Sequence, residues 1–155
     1  MTIVDIETVK ARTGRSLVDP VLFDRLSACI SFERGMDRPT AERVMDQALA
    51  FLGTCAVHPV SLAPSKAVDI GWHTFVLHTL DYAAFCNRVA GRFIHHIPTD
   101  DENEAAERTA PCKTTAAIVA AGYVVDAPLW EGAANCSQCK DGCHDDPPPD
   151  PKNAN

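Results

Sequence analysis

The sequence predicts an all-α fold, a single small orthogonal bundle of about five helices followed by a disordered cysteine-rich C-terminal tail. Its 155 residues are enough for one domain with its own core, and 46% apolar and 23% charged residues are typical of globular proteins. Helix-start signals, in which a capping side chain stands beside a proline, recur along the chain. We therefore predict a lead-in over 1–18, a helical domain over 19–131 and an acidic tail over 132–155.

The first two helices are predicted from their ends. Asp19 is an N-cap acceptor, Pro20 suits the first helical position, and Gly35 ends the helix. The second helix starts near residues 37–40 and stops before Pro59. Spacings of three and four residues place one apolar stripe on each helix. The stripes consist of Leu22, Phe23, Leu26, Cys29 and Ile30, and of Val44, Met45, Ala48, Leu49, Leu52 and Cys55.

The third and fourth helices follow closely on each other. Ser65 caps the third after Pro64, and a fourth starts at Thr79 or Asp81 and ends near Gly91. The sequence leaves open whether the two are continuous. Their predicted buried sides are Val68, Trp72, Phe75, Val76 and Leu80, and then Tyr82, Phe85, Cys86 and Val89.

The remaining segments are shorter. Residues 93–98 are too few for a helix and end at a proline, so we predict a buried extended strip. The acidic residues 100–107 fit a surface position at a helix N-terminus. Pro111 opens a last helix, Gly122 caps it, and Trp130 packs beyond a turn.

The distribution of charge and hydropathy excludes two classes of partner. The net charge is −7, with ten acidic and ten basic residues over 1–98, and eleven acidic and four basic residues over 99–155. Nucleic-acid binding needs clustered Lys and Arg, which the sequence lacks. The longest apolar stretch, 116–125, is about half a membrane-spanning length, so no membrane segment is expected. Residues 1–10 lack an apolar run behind a basic start, which predicts a cytoplasmic protein.

A metal-ligand pattern lies on the third helix and after the fourth. Asp69 and His73 are four residues apart and share one helix face. His95 or His96 follows a turn, so one of them could fold back and supply a third ligand. One Asp and two His suit zinc or iron and leave positions open for water or substrate. The alternative is structural, with histidines beside Trp72 making buried hydrogen bonds that fix the packing.

The same segment carries a family resemblance. Residues 68–79 read VDIGWHTFVLHT and residues 91–98 read GRFIHHIP. Over about residues 19–131 the chain resembles the bacterial members of the glycine-rich domain-containing protein-like family. The resemblance implies a helical fold and places the Trp-His core of the plant relatives on Trp72 and His73. It implies no settled activity, and the chain lacks the glycine-rich extension of the plant proteins.

The tail holds three thiols and an imidazole within nine residues. Cys136, Cys139, Cys143 and His144 would complete a tetrahedral zinc site of the Cys3His type. Seven cysteines in a protein without an export signal favour metal ligands or free thiols over disulfides. An unstructured tail with free thiols, haem attachment, and a redox pair of Cys136 and Cys139 remain open alternatives.

These patterns support a metal-binding or protein-interaction module, with zinc as the expected metal and no turnover of its own. The alternative is a metal-dependent enzyme whose open site uses Asp69 and His73. A third hypothesis makes the tail a flexible thiol-bearing arm for a protein partner. Cys29, Cys55 and Cys86 fit the core, although Cys86 beside a histidine could also form a nucleophile and base.

Overall fold

The computed structural model describes residues 10–97 and 111–130, and five α helices lie within them. These helices are α1 (Pro20–Arg34), α2 (Arg38–Val57), α3 (Lys66–Leu77), α4 (Thr79–Ala90) and α5 (Pro111–Ala120). Short 3₁₀ turns at Gly14–Leu17 and Ala127–Trp130 flank them. The described part of the chain is 71% helical and holds no strand, which confirms the predicted all-α fold.

Two predicted segments, the acidic residues 100–107 and the tail 132–155, lie outside the described residues. Within the described ranges, no helix is both long enough and apolar enough to cross a membrane.

Local capping explains where the first three helices begin. In each case a side-chain oxygen accepts a hydrogen bond from a backbone N–H of the first turn, which would otherwise lack a partner. The N-cap contacts join Asp19 to Val21 at 2.8 Å, Asp37 to Thr40 at 3.2 Å and Ser65 to Val68 at 3.1 Å. Gly35 ends α1 with a left-handed φ of 61°, a conformation that glycine adopts without a steric penalty. These ends agree with the sequence prediction.

α2 is the central helix, and the other four α helices pack around it. α2 and α3 are in close contact at Gly71, where a Cβ would lie only 2.6 Å from the Cβ of Ala48. The next residue, Trp72, packs against Phe51, with ring centres 5.2 Å apart. The largest fully buried apolar side chains are Trp130, Tyr82, Phe23, Phe51, Phe75, Leu26, Ile30, Met45, Leu49, Leu52 and Ile118.

A single non-helical residue, His78, separates α3 from α4, so the two helices are not continuous. His78 has φ −85° and ψ 66°, and its N–H donates to the carbonyl of Phe75 at 3.0 Å. The break corrects one prediction. The sequence predicts Leu80 on the buried side of the third helix, but it lies on α4 and is 87% exposed, because α3 ends at Leu77 and its helical period does not continue to Leu80.

A buried amide fastens the end of the described chain to α2. Gln47 is 1% exposed, and its Oε1 accepts from the indole N–H of Trp130 at 2.9 Å and from the N–H of Asp126 at 3.0 Å. Its Nε2 donates to the carbonyl of Val124 at 3.0 Å. The buried Trp130 confirms its predicted packing, and the buried polar group is fully used.

The strip after α4 is non-helical through residue 97, as predicted. It is less buried than predicted. Ile94 is 5% exposed, whereas Phe93 is 44% and Ile97 63% exposed. In an extended chain successive side chains point to opposite sides, so only one side of the strip faces the core. This alternation separates His95 from His96.

Candidate functional site

Trp72 is the support of the candidate site. Its indole N–H donates to the hydroxyl of Tyr82 at 2.9 Å, and that hydroxyl donates in turn to the carbonyl of Ile94. Burial raises the pKa of Tyr82, so the hydroxyl keeps its proton and remains a donor. This relay ties α3, α4 and the strip together, and it fixes the backbone one residue before the two candidate histidines.

His96 is the histidine that folds back onto α3. Its ring stands edge-on to Trp72 with centres 4.5 Å apart, and its Nε2 lies 2.8 Å from Oδ1 of Asp69. Because a carboxylate oxygen only accepts, Nε2 carries the hydrogen of this bond. The His96 side chain is 15% exposed and that of Asp69 is 44% exposed. The pair therefore lies at the surface, with Trp72 beneath it.

His73 completes the group on the same face of α3. It is exposed, and its ring centre is 5.7 Å from that of His96. His95 does not join this group. It packs on Phe93 with ring centres 4.9 Å apart and lines a separate cleft of about 300 Å³ beside Arg92. The structure thus brings three of the four predicted domain ligands together, namely Asp69, His73 and His96.

These side chains are not arranged around a common metal position. Within 10–97 and 111–130, no group of three or more His, Cys, Asp or Glu has an arrangement that could hold a metal ion. The hydrogen bond between Asp69 and His96 is instead the direct contact that the structural alternative predicts. The tail ligands Cys136, Cys139, Cys143 and His144 lie outside the described residues, so the Cys3His site stays a prediction.

The sequence analysis did not predict a contact between the imidazole of His78 and the thiol of Cys29. Nδ1 of His78 lies 2.9 Å from the carbonyl oxygen of Thr74, and Nε2 of His78 lies 3.9 Å from Sγ of Cys29. Cys29 is only partly buried, although we had predicted it as a core residue. The two side chains are 49 residues apart on different helices, so no local spacing in the sequence signals their contact.

The other described cysteines have different surroundings. Burial raises the pKa of the Cys55 thiol to about 12, against the smaller opposite effect of the Arg92 charge. Cys86 is fully buried and interacts with Tyr82, whereas the thiol that lies beside an imidazole in the described ranges is that of Cys29. Cys112 is also buried.

A family model described as UCP032817-like matches residues 20–119. The match covers more than half of the 155-residue chain. The chain belongs to the UCP032817-like family. No curated protein and no solved structure matches it.

The part of this UCP032817-like protein that the model matches runs from the first residue of α1 almost to the end of α5. It contains both histidine clusters described above. The first consists of Asp69, His73 and His96, and the second of Cys29 and His78. The match names no activity, and the resemblance to the glycine-rich domain-containing protein-like family stays a prediction.

Proposed function

We propose that this UCP032817-like protein is a metal-binding module without turnover of its own, and that Asp69, His73 and His96 are the ligands in its helical domain. The observation that carries the proposal is that Asp69, His73 and His96 lie together on one side of α3, with the ring centres of the two imidazoles 5.7 Å apart. These groups supply two imidazole nitrogens and carboxylate oxygens, a donor set that suits zinc.

The separation of the two rings supports this assignment. Two imidazoles that bind one zinc ion through nitrogens at about 2.0–2.1 Å have ring centres roughly 5–6 Å apart. The ring centres of His73 and His96 are 5.7 Å apart. Asp69 lies one turn before His73 on the same face of α3, within reach of the same ion. Only side chains need to turn, because Asp69 and His73 are at the surface.

Metal binding at this site replaces a hydrogen bond. His96 must either move its hydrogen from Nε2 to Nδ1, in which case Asp69 releases Nε2, or bind the ion through Nδ1. A protonated imidazole has no lone pair for a metal ion, so protons compete with the metal. We therefore expect zinc affinity to fall as the pH falls.

The structural alternative is that the Asp69–His96 bond only fastens the strip to α3. His73 separates the two hypotheses because it makes no hydrogen bond to either residue, while its ring lies beside that of His96. A fastening role predicts that removing His73 changes nothing. A ligand role predicts a loss of zinc affinity without a loss of stability.

The test is a zinc titration of the full chain against a chromophoric chelator. The background variant replaces Cys136, Cys139 and Cys143 with Ser, so that a tail site cannot contribute. In this background we expect His73→Ala and His96→Ala each to weaken zinc binding by at least about tenfold. His95→Ala is the matched control, since it removes a neighbouring imidazole that lines the cleft beside Arg92. Equal zinc affinity in His73→Ala and the background would overturn the domain site.

The same titration addresses the tail. If the Cys3His site forms, the unmodified chain binds one more zinc ion than the triple Cys→Ser variant. A stoichiometry that the triple substitution leaves unchanged contradicts the tail site and leaves the domain site unaffected.

A metal-dependent enzyme is the second candidate for the same residues. It is favoured by the exposure of Asp69, 44%, which leaves room for a water or a substrate at the ion. Zinc-loaded chain that hydrolyses activated ester or phosphate substrates, and loses this activity in His73→Ala, would establish turnover. Zinc binding without any such activity supports the module.

A further inference from the structure

The pair of Cys29 and His78 lies where three helices meet. Cys29 is in the third turn of α1, and His78 is the single residue between α3 and α4. Their Sγ and Nε2 atoms are 3.9 Å apart, a contact within the range of a sulfur hydrogen bond. The pair is separate from the Asp69, His73 and His96 group, and it takes no part in the proposed metal site.

The surroundings of His78 fix which of its nitrogens is the base. The carbonyl of Thr74 can only accept, so Nδ1 of His78, 2.9 Å away, carries a hydrogen. The N–H of His78 is also held, at 3.0 Å from the carbonyl of Phe75. In the neutral ring the free lone pair is therefore on Nε2, the atom that faces Cys29. This is the arrangement of a nucleophile, a base and a group that orients the base.

The pair is accessible. Cys29 is partly exposed, in contrast to the fully buried Cys86. Phe32, three residues after Cys29 on α1, is 90% exposed, and Leu77 and Leu80 on either side of His78 are 63% and 87% exposed. These exposed apolar side chains lie near the pair in sequence.

One ion pair accompanies the thiol and the imidazole. Arg25, one turn before Cys29, pairs with Asp81, three residues after His78. It joins the same two elements, α1 and the start of α4, and so holds Cys29 and His78 in register. Because the Asp81 carboxylate is paired with Arg25, the group next to the thiol that can accept its proton is His78.

We infer that Cys29 is a site of thiol–disulfide exchange with small disulfides, and that His78 is its general base. Nε2 of His78 takes the thiol proton, and the thiolate attacks one sulfur of the disulfide. The S–S bond of the small molecule breaks as the bond to Sγ of Cys29 forms, and the leaving thiolate takes the proton back from His78. The products are a mixed disulfide on Cys29 and one small thiol, and an excess of thiol reverses the reaction.

The experiment uses the reduced full chain with a metal chelator present, and hydroxyethyl disulfide as a neutral probe. Mass spectrometry after an acid quench gives the rate of mixed-disulfide formation at each cysteine separately. We expect Cys29 to react faster than free N-acetylcysteine at neutral pH, even though partial burial alone would slow it. We also expect Cys55 and Cys86 to remain unmodified, since burial keeps the Cys55 pKa at about 12 and Cys86 is inaccessible.

His78→Asn is the decisive variant. The amide of Asn can still donate toward the Thr74 carbonyl, and Asn is a favoured N-cap for α4, but the base is gone. We expect the rate at Cys29 to fall by about tenfold or more. An unchanged rate in His78→Asn would overturn the inference. So would a wild-type rate below that of N-acetylcysteine, a measurement that does not depend on the folding of any variant.

Zinc affinity keeps this inference apart from the metal proposal. Cys29→Ser and His78→Asn should bind zinc as the parent chain does, and His73→Ala should exchange disulfides at the parent rate.

Discussion

The two ends of α3 hold their imidazoles in opposite ways. Beside the first half of the helix, His96 gives the hydrogen on Nε2 to the carboxylate of Asp69. At its end, His78 gives the hydrogen on Nδ1 to a backbone carbonyl and presents Nε2 to the thiol of Cys29. The chemistry of an imidazole depends on which nitrogen carries the hydrogen. The hydrogen-bond partner, and not the residue type, thus decides which nitrogen of each histidine is left with a lone pair.

The two ends also differ in what supports them. His96 rests on Trp72 and on a strip that the Trp72–Tyr82–Ile94 relay holds in place. Cys29 and His78 depend on the packing of α1 against the break between α3 and α4. Substitutions in the relay should therefore affect one end and spare the other.

Trp72→Ala should have the largest effect. The ring is 7% exposed and packs on Phe51, so its removal should lower the free energy of unfolding by about 3–5 kcal/mol. Urea unfolding followed by circular dichroism measures this loss. Leu80→Ala is the control, since a side chain that is 87% exposed should change stability by at most about 0.5 kcal/mol. Similar losses in both variants would show that Trp72 is not the support of the site.

Tyr82→Phe separates the two ends. It leaves the buried indole N–H of Trp72 and the carbonyl of Ile94 without their partner, which should cost about 1–3 kcal/mol. The strip should loosen, so zinc affinity in the tail-substituted background should fall. Disulfide exchange at Cys29 should keep its rate. A parallel decrease of both readouts would mean that the two ends are not independent.

Asp69→Asn should change binding more than stability. The amide oxygen can still accept from Nε2 of His96, and the lost charge is 44% exposed, so the change in stability should be below about 1 kcal/mol. Zinc affinity should fall by at least about tenfold. Asp81→Asn removes a carboxylate on α4, near the other end of α3, and should leave zinc affinity unchanged. If Asp69→Asn and Asp81→Asn both bind zinc as tightly as the parent chain, Asp69 is not a zinc ligand.

Arg43→Met should have the smallest effect and touch neither end. Arg43 donates to both oxygens of Asp126, at 2.6 and 2.8 Å, and this holds the pKa of Asp126 below its ordinary value. A carboxyl with a lowered folded-state pKa stabilises the protein above its unfolded-state pKa, and this contribution is lost as the pH falls through the folded value. Melting temperatures should therefore differ slightly near neutral pH and coincide in strong acid. A difference that persists in strong acid would contradict this assignment.

Helix ends were the most predictable feature because their causes are local. Asp19, Ser65 and Gly35 satisfy backbone groups or adopt backbone angles within their own turn, and the structure has α1 begin and end, and α3 begin, as predicted. Leu80 was misplaced because a helical period continues through a break that the sequence does not mark. That break is at His78.

Local sequence patterns are sufficient to predict the all-α fold, the helix starts and the shared face of Asp69 and His73, since each follows from neighbours within one or two turns. The contact of His96, rather than His95, with Asp69 could not be predicted from the sequence. The side of the strip that faces α3 depends on hydrogen bonds between separate elements, among them the one from Trp72 to Tyr82. The contact between Cys29 and His78 could not be predicted either, because contacts between distant helices come from packing that no local spacing encodes.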